Sequence, residues 1–235
     1  GHGIYGQYLL DVAIQPTSDL NFTDLVVSEV KPIAGGESGG LITVEWTVGN
    51  FGAVATPTST WIDRIVLSLN NKYGDADDIQ LHVSQHDGVL GVGETYTATA
   101  QVRLPVGISG SYYVLVATDA TGVVSEFIFE ANNATSITDP FTVTLTPYAD
   151  LTVTSVALPE RIIGNEQFNI EWTVENRGTG TTGTGRPGET VASWIDRIIV
   201  SSNSVIGDAD DRVIAEIIHT GTLGSGASYI ASYTG

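Results

Sequence analysis

The chain has 235 residues, a length that allows one or two domains. It carries 27 Asp and Glu against 9 Lys and Arg, so its net charge of −18 should repel nucleic acids and anionic membrane surfaces and attract cations. Because it contains neither Cys nor Met, disulfides, thiol catalysis and cysteine metal sites are excluded.

The predicted elements are almost all β-strands, separated by turns rich in Gly, Asn, Asp and Pro. In chain order they are Leu25–Val30, Leu41–Val48, Trp61–Leu69, Ile79–Val83, Thr95–Leu104, Tyr112–Thr118 and Phe141–Leu145. The second strand alternates, which places Ile42, Val44, Trp46 and Val48 on one face. No 12-residue stretch combines helical periodicity with caps. The pattern predicts an all-β chain built as an antiparallel β-sandwich.

A long internal repeat divides the chain. Glu45–Val48 recurs as Glu171–Val174, 126 positions later, and Trp61–Ile65 recurs as Trp194–Ile198, 133 positions later. The second copy therefore has a seven-residue insertion between its tryptophans. Solenoid repeats run about 20–50 residues, so a period this long indicates one domain per repeat.

The repeat predicts tandem β-sandwich domains at residues 21–149 and 150–235, the second without its final strands. We interpret residues 1–20 as a terminal strand of a preceding domain or as a linker. The stretch Gly3–Ala13 echoes Gly107–Ala117, a strand of the first copy. These features favour a fragment of a longer array.

Several spaced motifs occur together. They are Asp24-Leu25, Pro32, Trp46–Gly52, Trp61–Ser68, Leu104–Gly107, Gly110–Tyr113, Asp119, Glu126 and Glu130–Asn133, with Asp150-Leu151, Pro159, Trp172–Gly178 and Trp194–Ser201 in the second copy. Over about residues 21–235 the set resembles the CARDB-like family, the cell-adhesion-related domains found in bacteria. The resemblance implies tandem immunoglobulin-like antiparallel β-sandwich domains in large secreted or surface-attached proteins. It implies no defined ligand.

The Gly-Asp-Ala-Asp-Asp turns are the strongest chemical signal. Three carboxylates within four residues repel one another unless water or a cation separates them, and calcium sites gather such hard oxygen ligands. The candidate metal ligands are Asp75, Asp77, Asp78, Asp208, Asp210 and Asp211, with calcium as the cofactor. The turn is too short for an EF-hand loop, and a solvated acidic turn is the alternative.

Other polar residues have competing interpretations. Trp46 and Trp172 are expected in the core. Asp63, two residues after Trp61, is expected to face inward, either bonded to the backbone of a turn or as a metal ligand. If residues 126–130 form a strand, Glu126 and Glu130 share a face, either in a polar edge strand or in a metal site.

The sequence favours a protein that is not an enzyme. It has no Gly-x-Ser-x-Gly elbow, no phosphate-binding loop and no Cys–His pair. We expect a non-catalytic repeat module of a secreted or cell-surface bacterial protein, with an adhesion or spacer role. The alternatives are a carbohydrate- or protein-binding module and an accessory domain of a secreted hydrolase.

The expected partners are neighbouring domains of the same long chain, with no nucleic acid. Membrane insertion is not expected because no apolar run approaches about 20 residues. Head-to-tail self-association is a further expectation: residues 4–14 of one copy would complete the second sandwich of the next copy by strand addition.

Overall fold

The computed structural model describes residues 21–161, 163 and 166–235. Within this part of the chain every regular element is a β-strand, which confirms the all-β prediction. No helix of the described residues could span a membrane. The predicted terminal strand Ile4–Ile14 lies outside the described residues.

Nine strands form a first group. They are β1 (Leu25–Val30), β2 (Gly36–Glu37), β3 (Leu41–Asn50), β4 (Thr60–Ser68), β5 (Ile79–Asp87), β6 (Thr95–Arg103), β7 (Gly110–Ala117), β8 (Ala134–Ser136) and β9 (Phe141–Thr144). Each of the seven strands predicted from the sequence overlaps one of them. The short strands β2 and β8 have no counterpart in the prediction, because runs of two or three residues carry too little periodicity to be recognised.

The first group forms two sheets that enclose one core. One sheet has the order β1-β3-β6, and the other has the order β2-β9-β7-β4-β5 with β8 added to β7. All pairs are antiparallel except the two-residue pair β2–β9. The alternation of β3 buries Ile42, Val44, Trp46 and Val48, which confirms the predicted inward face. From the facing sheet, Trp61 packs into the same core.

Five strands form a second group. They are β10 (Leu151–Ala157), β11 (Asn169–Asn176), β12 (Ser193–Val200), β13 (Arg212–Thr220) and β14 (Ser228–Thr234). One sheet has the order β10-β11-β14 and the other consists of β12 and β13. Among the described residues, no strand of one group pairs with a strand of the other.

The two groups repeat the same register. Val27 lies opposite Val48 in the first group, and Val153 lies opposite Val174 in the second. A β-bulge interrupts both ladders at the next step along the chain. Equivalent positions of the two groups thus have the same local pairing, including the β-bulge.

Candidate metal-binding turns

Each acidic turn joins two neighbouring antiparallel strands of one sheet. Asp75, Asp77 and Asp78 lie between β4 and β5, and Asp208, Asp210 and Asp211 lie between β12 and β13. A glycine opens each cluster, Gly74 with φ 90° and Gly207 with φ 105°. This left-handed backbone favours glycine, because a side chain with a Cβ would be strained there.

Asp77 closes the first turn onto the end of β4. Its Oδ2 accepts hydrogen bonds from Ser68 Oγ (2.8 Å) and from the Leu69 backbone N–H (2.7 Å), while Asn70 Nδ2 donates to its Oδ1 (3.0 Å). The hydrogen-bonding interaction with Asp75, followed by the donors from Ser68 and Leu69, lowers the pKa of Asp77 to about 2. The carboxylate therefore remains ionised at neutral pH.

Asp210 does the same in the second turn. It accepts hydrogen bonds from Ser201 Oγ (3.0 Å) and the Ser202 backbone N–H (2.8 Å), and Asn203 Nδ2 donates to its Oδ1 (2.9 Å). Its interaction with Asp208, followed by the Ser202 donors, lowers the pKa of Asp210 as well. The middle Asp of each cluster therefore organises the turn.

The last Asp of each cluster has one oxygen without a hydrogen-bond donor. Asp78 Oδ2 accepts the Gly74 backbone N–H (2.7 Å), and Asp211 Oδ2 accepts that of Gly207. The Oδ1 atoms of Asp78 and Asp211 are buried and have no hydrogen-bond partner. The same orphaned acceptor in both copies is a feature that water or a cation would satisfy.

The carboxylates are not assembled into a closed coordination shell. Within the described part of the chain, no three His, Asp or Glu side chains are grouped so that they could hold a metal ion. The structure therefore brings the six aspartates into two equivalent turns and leaves calcium binding as a prediction.

The second oxygen-rich run has a different structure from the predicted one. Residues 126–130 form turns rather than a strand, so the prediction that Glu126 and Glu130 share a strand face is wrong. Glu126 is fully buried, and it accepts hydrogen bonds from the Leu25 backbone N–H (2.8 Å) and from Asn133 Nδ2 (2.9 Å). Burial raises the pKa of Glu126 to about 7. This side chain ties the segment before β8 to the start of β1.

Asp63 is buried, as expected, but its partners are side chains rather than a turn. Trp46 Nε1 donates to Oδ2 (2.8 Å), Tyr96 Oη donates to both carboxylate oxygens (3.0 and 2.8 Å), and Thr118 Oγ1 donates to Oδ1 (2.8 Å). Burial raises the pKa of Asp63, an effect that these hydrogen bonds oppose. With its acceptors occupied by these donors, Asp63 is a structural group in the core.

The second group contains the same network in reduced form. Trp172 Nε1 donates to Asp196 Oδ2 (2.8 Å), and Tyr229 Oη donates to both carboxylate oxygens of Asp196 (2.8 and 2.7 Å). Burial raises the pKa of Tyr229 to about 12. The sequence signal for this network is the joint recurrence of Trp, Asp and Tyr at equivalent positions of the two copies, although their spacing along the chain does not show that they are in contact.

The repeated histidine is part of an aromatic stack. The His86 ring lies between Trp61 and Tyr96, with centroids 4.0 Å from each. His219 lies in the same way between Trp194 (4.1 Å) and Tyr229 (3.9 Å). This stacking explains why a histidine recurs at this position without any metal-ligand spacing.

No family model and no curated protein matches the chain. Among solved structures, it is similar to the CARDB domain of a Pyrococcus furiosus protein crystallised in complex with di-metal ions. The identity is 23%, the match covers 54% of this chain and 97% of that one, and the TM-score is 0.39. The solution NMR structure of that domain matches at 25% identity over 54% of this chain and all (100%) of the other, with a TM-score of 0.38. A β-glucosidase from Kluyveromyces marxianus matches at 15% identity over 53% of this chain and 15% of its own, with a TM-score of 0.26.

Proposed function

We propose that this chain is a non-catalytic repeat module of a large secreted or surface-attached bacterial protein, with an adhesion or spacer role. Residues 21–149 and 150–235 are its two tandem domains. The observation that carries the proposal is the recurrence of the same local architecture in both strand groups, including the strand register, the β-bulge and the hydrogen bonds among Trp, Asp and Tyr. A repeated scaffold with its polar groups used internally suits a spacer better than a single reaction site.

One recurrent joint supports this division especially well. Asn50 Nδ2 donates to Val54 O (2.8 Å) and Leu90 O (3.0 Å), and Asn176 Nδ2 donates to Gly180 O (2.8 Å) and Leu223 O (2.9 Å). Both amides are completely buried. Each joint connects loops of its own strand group, which is expected if each group folds as a domain.

Calcium at the acidic turns is part of the same proposal. Calcium prefers carboxylate and other hard oxygen ligands, and each turn offers three carboxylates, one of which has an orphaned buried oxygen. Binding at these turns would fix the connection between two strands in each domain. A calcium-stiffened array is a suitable spacer for a protein with a net charge of −18.

The test of the calcium proposal is thermal unfolding in chelator, Ca²⁺ or Mg²⁺. The double variant Asp78→Asn, Asp211→Asn retains an acceptor for the glycine N–H and replaces the orphaned oxygen. We expect Ca²⁺ to raise the Tm of the original chain more than Mg²⁺ does. At a Ca²⁺ concentration of 100 times Kd, binding to one site should increase the free energy of unfolding by about 2.7 kcal/mol. The double variant should lose this response.

The exposed Asp139→Asn is the matched control, because it removes a carboxylate outside the turns. It should retain the full calcium response. An unchanged melting curve on adding chelator or Ca²⁺ to the original chain would contradict the calcium assignment.

For the spacer role, saturable binding of the chain to a glycan array would favour the carbohydrate-binding alternative. Protease treatment of intact source cells should release peptides of this chain if it is surface-attached.

A further inference from the structure

The hydrogen bonds of the two copies show where the second copy carries its seven extra residues. The hydroxyl groups of Thr56 and Thr182, which are 126 positions apart, accept backbone N–H groups of equivalent loops (3.0 and 3.1 Å). The carbonyl groups of Ser59 and Ala192, which are 133 positions apart, also accept equivalent N–H groups (2.7 and 2.8 Å). The seven extra residues therefore lie between Thr182 and Ala192.

These residues form a closed loop. Gly183 and Thr190 form an antiparallel bridge at its base. Inside the loop, Thr184 Oγ1 donates a hydrogen bond to Glu189 Oε2 (2.7 Å). We call residues 183–189 the insertion loop. Its removal would join Thr190 to the residue before Gly183 and would give this connection the length that it has in the first copy.

The tip of the insertion loop lies against the first strand group. Gly185 and Arg186 pack on Gly39, which follows β2. Gly185 also contacts Val106, which follows β6. A Cβ on Gly39 would lie 2.6 Å from the Gly185 carbonyl oxygen, and a Cβ on Gly185 would overlap Val106 Cγ1. The close approach of the two backbones therefore depends on glycine at both positions.

The two turns that receive the loop are bonded to each other. The Gly39 backbone N–H donates to Pro105 O (3.0 Å), and the Leu104 N–H donates to Gly40 O (2.9 Å). Arg103 Nη1 also donates to Gly39 O (2.7 Å). The insertion loop thus rests on a part of the first group that is held in place by its own hydrogen bonds.

Opposite charges face each other across this contact. The hydrogen bond from Thr184, followed by the charges of Arg186 and Arg103, lowers the pKa of Glu189. Arg103 belongs to the first group, whereas Glu189 belongs to the insertion loop. Their attraction therefore acts between the two strand groups.

The connection between the two groups is short and is bound on both sides. Thr146 donates from its N–H to Ser38 Oγ (3.2 Å) and from its Oγ1 to Ser38 O (2.6 Å). Two residues later, Tyr148 O accepts the Gly180 N–H (2.8 Å). Pro147 lies between these anchors, and its ring fixes φ at about −65°. A cavity of 490 Å³ lies between this connection and the insertion loop, so the two are separate attachments.

We propose that the insertion loop is a brace that fixes the angle between the two strand groups. One attachment through Pro147 leaves the second group free to turn about the connection, and relative motion is the default for domains joined by a small interface. A second attachment, at Gly39 and Val106, removes that freedom. The brace rests on the proposed division into two domains, and it deepens the spacer role by making the pair a stiff unit.

The first test is the distance between two spin labels, measured by pulsed electron paramagnetic resonance in chelator. Because the chain contains no Cys, the exposed positions Thr99→Cys on β6 and Ser232→Cys on β14 give one label in each group. The labelled original chain should give one narrow distance distribution. Deletion of residues 183–189 should broaden it at least about twofold, because the connection alone then joins the groups.

Two glycines of the loop provide the matched comparison. Gly185→Ala and Gly188→Ala add the same side chain at similar φ, 82° and 76°, so the strain within the loop is comparable. The Cβ at 185 would overlap Val106, whereas the Cβ at 188 would meet no described atom within 4 Å. Gly185→Ala should therefore broaden the distance distribution, and Gly188→Ala should leave it unchanged.

Hydrogen exchange of β11 and β14 shows whether the second group stays folded in each variant. If the deletion unfolds it, the two glycine variants decide. The brace is overturned if the original chain already gives a broad distribution, if the distribution stays narrow without the loop, or if the two glycine variants behave alike. A narrow distribution without the loop would overturn the brace alone, because the connection through Pro147 would then suffice for a stiff spacer.

Discussion

Val27 and Val153 occupy the same position in two copies of one strand, yet only Val27 is buried. Each faces the equivalent valine of the neighbouring strand, Val48 or Val174, with the same bulge beside it. The exposed fraction is 1% at Val27 and 57% at Val153. The two valines therefore have the same strand pairing but differ in burial.

The difference arises from segments distant in the sequence. In the first group, β1 contacts β7 and β8. The segment before β8 is bound to the start of β1, because Glu126 accepts a hydrogen bond from the Leu25 backbone N–H. Val124 and Ile137 from this region belong to the same core as Val27. The described part of the second group has no counterpart of these strands. The register of a strand depends on the strands beside it in the sheet. The burial of its apolar side chains depends on the segments that pack across the sheet.

The largest expected effect is the contrast between Val27→Asp and Val153→Asp. An unpaired carboxylate at the buried position should destabilise the first group by about 4 kcal/mol or more, whereas the exposed position should change stability by at most about 0.5 kcal/mol. Hydrogen exchange of peptides from each group, measured on dilute protein, separates the two effects. Equal losses at both positions would contradict the difference in burial.

A smaller, equal effect is expected at the asparagine joints. Asn50→Ala and Asn176→Ala each leave two backbone carbonyls and the N–H groups bonded to Oδ1 without their partner. Each should destabilise its own group by about 2–4 kcal/mol. Urea unfolding monitored by hydrogen exchange measures both. A large loss in one group alone would show that the joints are not equivalent.

The smallest effect concerns pH and Glu126. Its pKa is raised from 4.5 to about 7, so the folded state holds a proton that the unfolded state has released over this interval. The stability contributed by this group is therefore present below pH 4.5 and decreases as pH rises through about 7, by about 1–2 kcal/mol. The neutral Glu126→Gln should remove this dependence.

The replacement is compatible with the structure because Asn133 Oδ1 is buried without a partner. If the Asn133 amide group rotates by half a turn, its Oδ1 can accept a hydrogen bond from the side-chain amide of the glutamine. Asn133 Nδ2 then loses the hydrogen bond that it donates to Glu126. Urea unfolding from pH 4 to pH 8 measures the difference between variant and original chain. A difference that stays constant with pH would contradict the raised pKa.

The sequence by itself determined the strands, the repeat and the inward faces. Alternation along β3 marks Trp46 as a core residue, because successive side chains point to opposite faces of a sheet. Repeated aspartates and glycines located both candidate metal-binding turns. These features depend on neighbours along the chain, so a linear pattern records them.

Only the tertiary structure decided what each polar residue contacts and which residues of each strand group are buried. The pattern around Glu126 suggested a strand, but a turn buries its carboxylate against Leu25, which is 101 positions away. Asp63 is satisfied by residues from three other strands or loops, and no local spacing encodes that meeting. Val27 and Val153 have the same local sequence pattern, and their different exposure depends on strands that pack from elsewhere.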